Sequence, residues 1–349
     1  MRALEYQAPE RLALVERPEP TAATGQIVVE VANCGICGSD LHSFSHGFAA
    51  KPGQILGHEF CGTVLSAPGV EGVDEGDRVT VRPLIPCGHC AHCRAGDLQL
   101  CEQGHDNDIG YASPGAFAER VLVPRAVVGE TVFQLPPEVD DRAGSLVEPL
   151  AVGLRALNVA DPGPGDVVLI LGAGTIGLAA ARFARLREPG ALIVADPSPL
   201  RRERAREFGA DVVVDPLAED TTGAVRAITG AGAFGLGARA DVVIDCAGAA
   251  AGFRDALKSV RAGGTLVLAA MYSGKIELRP DRIVEKGLRV FGTLAYRDEF
   301  PAVIAQLADG SVDAERLISH RFALADAEAA FATQLDRDRS LKVLVSPRV

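Results

Sequence analysis

The sequence predicts an α/β chain of two domains: a mostly antiparallel β domain and a doubly wound parallel sheet of six strands. Three observations carry this. Up to about residue 150, β-rich runs alternate with Gly/Pro loops. From 166 onward, short apolar runs alternate with helical stretches. And 349 residues suit about two domains at roughly 150 each. Hydrophobic residues make up 48% and charged residues 23%, a globular balance that supports large cores.

In chain order, "QIVVEVA" (26–32) and "GDRVTVRP" (76–83) read as strands of the first domain. "DVVLILG" begins at 166 and is apolar throughout, as a strand buried on both faces must be. A helix over 175–186 follows, then "ALIVAD" (191–196) and a helix in "LRRERAREFGA". "DVVVD" (211–215), "DVVIDCAG" (241–248), "GGTLVLAAM" (263–271) and "GLRVFGT" (287–293) complete six strands with helices between them. The last stretch mixes helix with "HRFAL" and "LKVLVSP" and is expected to return to the first domain.

"LGAGTIG" (171–177) follows the first of these strands and opens a helix. In that setting a G-x-G-x-x-G run is a dinucleotide fingerprint. Gly172 permits the tight turn, Gly174 lets backbone approach a pyrophosphate, and Gly177 lets the helix pack on the sheet. Thr175 and Ile176 open the helix, whose first N–H groups face the phosphates. Asp196, nineteen residues past Gly177, suits the adenosine ribose hydroxyls and repels a 2′-phosphate, so NAD is expected over NADP. Arg201 is expected near the adenine, and the other arginines of "LRRERAR" read as a solvated helix face.

Cys87, Cys90, Cys93 and Cys101 are spaced C-x2-C-x2-C-x7-C. Four thiolates enclose one zinc tetrahedrally and leave no open position, which defines a structural site. His89 and His92 between them are expected to face solvent. A nucleic-acid-binding zinc module does not fit the net charge of −11, because binding to phosphates needs positive charge.

Cys37, His58, Glu59 and Glu148 are candidates for a second, catalytic zinc, which takes mixed ligands and keeps one position open. Alone, His58 reads as a loop histidine, Glu59 as a surface charge and Glu148 as a helix cap. Their company in a chain with a dinucleotide loop raises them to candidates. His58 and Glu59 are consecutive, so both reach one ion only if the backbone turns, which Gly57 permits. Cys34, Cys61 and Cys246 read as small buried residues.

"CGICGSDLH", "GHE", the four-cysteine run, "EPLAVG" and "LGAGTIG" occur in this order along the whole chain. Together they resemble the zinc-dependent medium-chain alcohol dehydrogenases, in the branch of polyol, threonine and 2,3-butanediol dehydrogenases. The resemblance implies a GroES-like catalytic domain over 1–148 and 294–349, with a structural lobe at about 85–103, and a Rossmann domain over 149–293. It implies that Cys37 and His58 bind the catalytic zinc and that Glu59 and Glu148 share the carboxylate role. It implies that Ser39 touches the reacting oxygen and that His42 relays its proton outward. It also implies two zinc ions per chain, NAD, and a homodimer or homotetramer.

Sorbitol-type members carry a tyrosine after the relay histidine and an Arg-Tyr pair near the end of the coenzyme domain. Here these positions hold Ser43, Ala295 and Tyr296. A short vicinal diol or hydroxyketone of the 2,3-butanediol/acetoin kind is therefore the expected substrate, its second hydroxyl meeting Tyr296 or Glu148. A threonine- or polyol-type dehydrogenase, or a non-catalytic NAD(H)-sensing zinc protein, are the alternatives. "MRALEYQAPE" has no apolar signal-peptide core and no run reaches a membrane span, so a cytoplasmic location is expected, with no membrane or nucleic-acid partner.

Overall fold

In the computed structural model the described residues run from 1 to 348, apart from 49, 233–236, 273 and the side chain of 105. They form two compact units, Met1–Glu148 with Arg297–Val349, and Pro149–Tyr296.

The first unit opens with a hairpin, β1 (Arg2–Ala8) and β2 (Arg11–Glu16), which the sequence reading missed. Then come β3 (Ile27–Gly35), α1 (Gly38–His46), β4 (Gln54–Ile55), β5 (Glu59–Ser66), β6 (Arg78–Val81) and α2 (Ala91–Arg94). β7 (Arg120–Val123), β8 (Val132–Gln134) and α3 (Asp141–Ser145) lead into α4 (Val147–Ala160), which crosses from one unit to the other. After the second unit the chain adds α10 (Phe300–Ala308), β15 (Ile318–Ala323), α11 (Ala327–Leu335) and β16 (Lys342–Ser346).

A large sheet runs β15-β16-β3-β5-β6-β8, with β7 also paired to β3. Its pairs are antiparallel except β15 with β16. β3 lies inside this sheet and is buried along nearly its whole length, which is why "IVVEVANCG" carries one charge in nine residues. Phe331 of α11 packs on Phe44 of α1 at 5.1 Å and on Phe117 at 5.6 Å, closing the core over the sheet.

The second unit holds β9 (Val167–Leu171), α5 (Thr175–Arg185), β10 (Ala191–Ala195), α6 (Pro199–Glu207), β11 (Val212–Val214) and α7 (Thr221–Thr229). It continues with β12 (Ala240–Asp245), α8 (Ala250–Ser259), β13 (Val260–Leu268), α9 (Asp281–Lys286) and β14 (Arg289–Gly292). The six strands stand in the order β11-β10-β9-β12-β13-β14 and every pair is parallel. This is the doubly wound sheet expected, with its switch of direction between β9 and β12 at the carboxyl ends where dinucleotides bind. Among the described residues no helix is long and apolar enough to cross a membrane.

Candidate active site and metal centres

β3, β5 and β16 bring one site together. Gly35, the last residue of β3, pairs with Glu59, the first of β5, and with Leu344 of β16. Cys37 therefore leaves the end of β3 at the start of α1, while His58 and Glu59 enter β5 beside it. Gly57 has φ +93, and a Cβ there would lie 2.8 Å from Cys34 Sγ and 2.9 Å from Phe117 N. The turn expected at Gly57 is present and only glycine fits it. Donor atoms of Cys37, His58 and Glu59 lie within 4.8 Å of one another. Glu148 is buried nearby, at the start of α4, but does not join that group. Burial pushes its carboxyl up to about 8; His58 opposes the shift, and Glu59 and Cys37 add to it. Burial likewise pushes the Cys37 thiol up to about 12.

Three residues of this site had escaped the sequence reading. Asp40, 3% exposed, accepts from the Cys37 N–H at 2.9 Å and from the Gly57 N–H at 3.3 Å. Its other approach is to His58 Nδ1 at 3.7 Å. One carboxylate thus ties both ligand-bearing segments, through the backbone N–H groups of Cys37 and Gly57. Lys342, 3% exposed, donates to both oxygens of Glu59, at 2.8 and 2.5 Å, and to the Ile36 carbonyl at 2.9 Å. Tyr111 shares a 2.8 Å hydrogen bond between its hydroxyl and Ser39 Oγ, and its ring lies 5.1 Å from that of His58. At Asp40 there was a local hint, since it lies three residues past the helix cap, where a capping box places an acceptor.

Ser39 sits in the first turn of α1, and His42, one turn on, is exposed. Ser43 is buried with its hydroxyl donated to the Phe48 carbonyl, so it offers nothing to a ligand. Tyr296 is 1% exposed. The phenol hydrogen-bonded to Ser39 is that of Tyr111.

The four remaining candidate thiols form the second centre. Cys87, Cys90, Cys93 and Cys101 have sulfurs within 4.8 Å of one another. Cys87 and Cys93 sulfurs are 3.8 Å apart, far beyond a disulfide bond and close to the edge of a tetrahedron with zinc–sulfur bonds of about 2.3 Å. Backbone N–H groups point at the sulfurs: Cys90 N to Cys87 Sγ at 3.3 Å, Cys93 N to Cys90 Sγ at 3.4 Å, and Cys87 N to Cys101 Sγ at 3.2 Å. The N–H groups of Cys93 and Glu102 lower the Cys90 thiol to about 6. Burial pushes Cys93 up to about 12. Four such sulfurs cannot all ionise without a cation among them, and the set fits a closed zinc site. His89 and His92 face solvent. Cys34 and Cys61 are fully buried, whereas Cys246 is half-buried, less enclosed than expected.

In the second unit, the loop after β9 fits a dinucleotide. A Cβ on Gly177 would lie 1.8 Å from the Gly172 carbonyl oxygen, while one on Gly174 would meet only Arg201 Nη1 at 3.8 Å. Gly177 is thus filled by its own loop, and Gly174 is an open cradle at the N-terminus of α5, next to Thr175 and Ile176. Asp196, 4% exposed, accepts from Ala173 N at 2.7 Å and from Ser198 N at 2.8 Å. Two of its roughly four acceptor positions remain. Arg202 is committed to the Asp196 and Pro197 carbonyls and to Asp215.

Comparison with known proteins gives the family. Residues 23–136 match the alcohol dehydrogenase GroES-like domain, and residues 175–309 the zinc-binding dehydrogenase domain. The chain is similar to a sorbitol dehydrogenase of Halalkalibacterium halodurans, 30% identical over 96% of this chain and 95% of that one. It is similar to an L-threonine 3-dehydrogenase of Pyrococcus abyssi, 33% identical over 88% and 87%. Its structure resembles 2R,3R-butanediol dehydrogenase from Bacillus subtilis, with TM-score 0.87, 30% identity and 99% of each chain covered. It also resembles a zinc-binding dehydrogenase from Sinorhizobium meliloti bound to NADP, with TM-score 0.89, 34% identity and 99% of each chain covered.

Proposed function

The chain belongs to the zinc-dependent medium-chain alcohol dehydrogenases, oxidoreductases acting on CH–OH groups, and from that premise we propose a reversible NAD-dependent oxidation of a short vicinal diol to a hydroxyketone. The observation that carries the reading is the cluster of Cys37, His58 and Glu59, with the Ser39–Tyr111 hydrogen bond on the same α1 segment.

In this reading Cys37, His58 and Glu59 hold the catalytic zinc, Glu148 stands by for the second substrate hydroxyl, and the four cysteines hold a structural zinc, giving two per chain. Zinc bound there would supply Lewis-acid polarisation of an alcohol oxygen, and NAD bound at the glycine loop would supply the hydride acceptor. Ser39 Oγ receives the hydroxyl proton, and Tyr111 fixes the direction of that oxygen. His42, exposed on the same helix, passes the proton to solvent, a contribution of roughly 10²–10⁴-fold for positioned acid–base groups. Asp40 keeps Cys37 and His58 in register. Gly172, Gly174, Thr175, Ile176 and Gly177 hold the coenzyme phosphates, with Arg201 at the adenine end. Asp196 favours NAD over NADP.

A short diol is favoured because Ser43 is turned inward and Ala295 carries no cation, which leaves fewer groups to pair with a long polyol. The sorbitol dehydrogenase among the relatives supports a second reading, a polyol substrate. Coenzyme reduction followed by absorbance on 2,3-butanediol, sorbitol, xylitol and threonine separates them. The short diol is expected to give the highest kcat/KM; sorbitol or threonine ahead by tenfold, about 1.4 kcal/mol of transition-state binding, overturns the assignment. No reduction with any alcohol favours a non-catalytic NAD(H) sensor.

A homo-oligomer is supported by β14, the outer strand of the parallel sheet. It exposes Phe291, and Val284 and Leu294 beside it are at least half exposed; an open apolar edge is a template for a second copy. Eight unbridged cysteines support a reducing, cytoplasmic setting.

A further inference from the structure

In the second unit, α7, α8, α9 and the segment before α9 enclose a cavity of about 530 Å³, within the range of about 300–1,000 Å³ for small-molecule sites. It is lined by Arg226, Arg254, Lys258, Arg279, Arg282 and Lys286, with Glu277 as the one acidic residue of the lining. That is unusual in a chain with 35 basic and 46 acidic residues.

Local pairing does not cancel this charge. Lys258 meets Asp255 at 3.9 Å, Arg279 meets Asp281 at 3.4 Å, and Arg282 meets Glu285 at 3.1 Å, all with at least one partner well exposed. Such pairs contribute only about 0–1 kcal/mol each. Arg226 and Arg254 have no carboxylate within ion-pair distance among the described residues. Lys286 is 4% exposed, and its ammonium donates to the carbonyls of Leu257 (2.7 Å), Lys258 (3.2 Å) and Val260 (2.7 Å). It pins α9 to the end of α8 and gives the cavity a fixed wall.

The place is distinct from the dinucleotide loop. Val260 is the first residue of β13, and Gly237, also in the lining, precedes the start of β12. The cavity therefore sits at the amino ends of strands that all point one way, whereas Gly172 follows the carboxyl end of β9. We propose that this cavity is a second anion site, for a small molecule carrying two or more phosphate-type charges. Four of the six cations are arginines, whose planar fork matches phosphate oxygens in pairs. A concave site in an acidic chain favours a small polyanion over a nucleic acid.

The test is calorimetric titration of inorganic pyrophosphate into the full zinc-loaded chain with saturating NADH, which occupies the coenzyme phosphate site. One pyrophosphate per chain is expected, with affinity falling as salt rises from about 50 to about 200 mM. Arg226→Gln/Arg254→Gln is expected to weaken it at least about tenfold, the scale of a lost charge-assisted contact, with NADH affinity unchanged. Arg254→Glu alone, at an exposed position of α8, is expected to do the same and serves if the double variant folds poorly. Absence of saturable binding at millimolar pyrophosphate, or binding unaltered in both variants, overturns the site. Citrate binding more tightly than pyrophosphate overturns the phosphate class.

Discussion

Replacing Lys342 by Met leaves the Glu59 carboxylate buried without its cation. The pair is 4% and 1% exposed at the side chains, and Lys342 also satisfies the Ile36 carbonyl next to Cys37. Breaking a buried pair by removing one partner costs about 3–5 kcal/mol, because the remaining charge stays desolvated. For a unit of about 200 residues, with roughly 2–4 °C lost per kcal/mol, the first unit's Tm should fall by about 6–20 °C. Removing both charges, in Lys342→Met/Glu59→Gln, should recover part of the loss, a coupling on the order of 0.5–3 kcal/mol. Arg348→Ala is the control: its pair with Glu30 is about 40% exposed on both sides and should cost no more than about 1 kcal/mol. Melts followed by circular dichroism give the comparison, each protein stripped of zinc by a chelator so that no ion at Glu59 stands in for the missing ammonium. A Lys342→Met loss no larger than that of the surface pair would falsify the view that a buried ion pair holds the base of the metal site.

Three further outcomes are expected. Tyr111→Phe keeps the ring beside His58 and removes the phenol on Ser39, so kcat should fall with zinc content unchanged; loss of zinc instead would make Tyr111 a structural residue. Cys101→Ser should chiefly lower thermal stability, since a closed thiolate site contributes folding free energy; lost turnover at unchanged Tm would make that centre catalytic. Asp196→Ala should raise NADP use relative to NAD, as the repelling carboxylate is gone. It should also weaken NAD, because Ala173 N in the glycine loop loses its acceptor. Arg201, whose Nη1 stands beside Gly174, is expected to meet a 2′-phosphate, and wild type preferring NADP would defeat the argument.

The parts legible in the sequence were those with a local pattern. Strands buried on both faces must be continuous apolar runs, so "DVVLILG", "ALIVAD" and "DVVIDCAG" declared themselves. The four cysteines are ligands by spacing, and the glycine loop by its place between strand and helix. What stayed hidden was assembled across distance. Lys342 and Glu59 are separated by 283 positions, and no local pattern joins them; a lysine opening "KVLVS", buried along its whole length, was the available clue. Tyr111 lies 72 positions from Ser39 in a loop without periodicity. The hairpin β1–β2 was overlooked because "RALEYQA" mixes charged and apolar residues, although four consecutive positions are buried.

Zinc content measured beside coenzyme reduction tests the central claim most directly, because it joins each ligand set to its role. Purified wild-type protein should hold about two zinc ions per chain and oxidise alcohol, and Cys37→Ser should hold about one, fold normally and be inactive. Full turnover in Cys37→Ser, or in a wild-type preparation holding one zinc or less, would contradict the account.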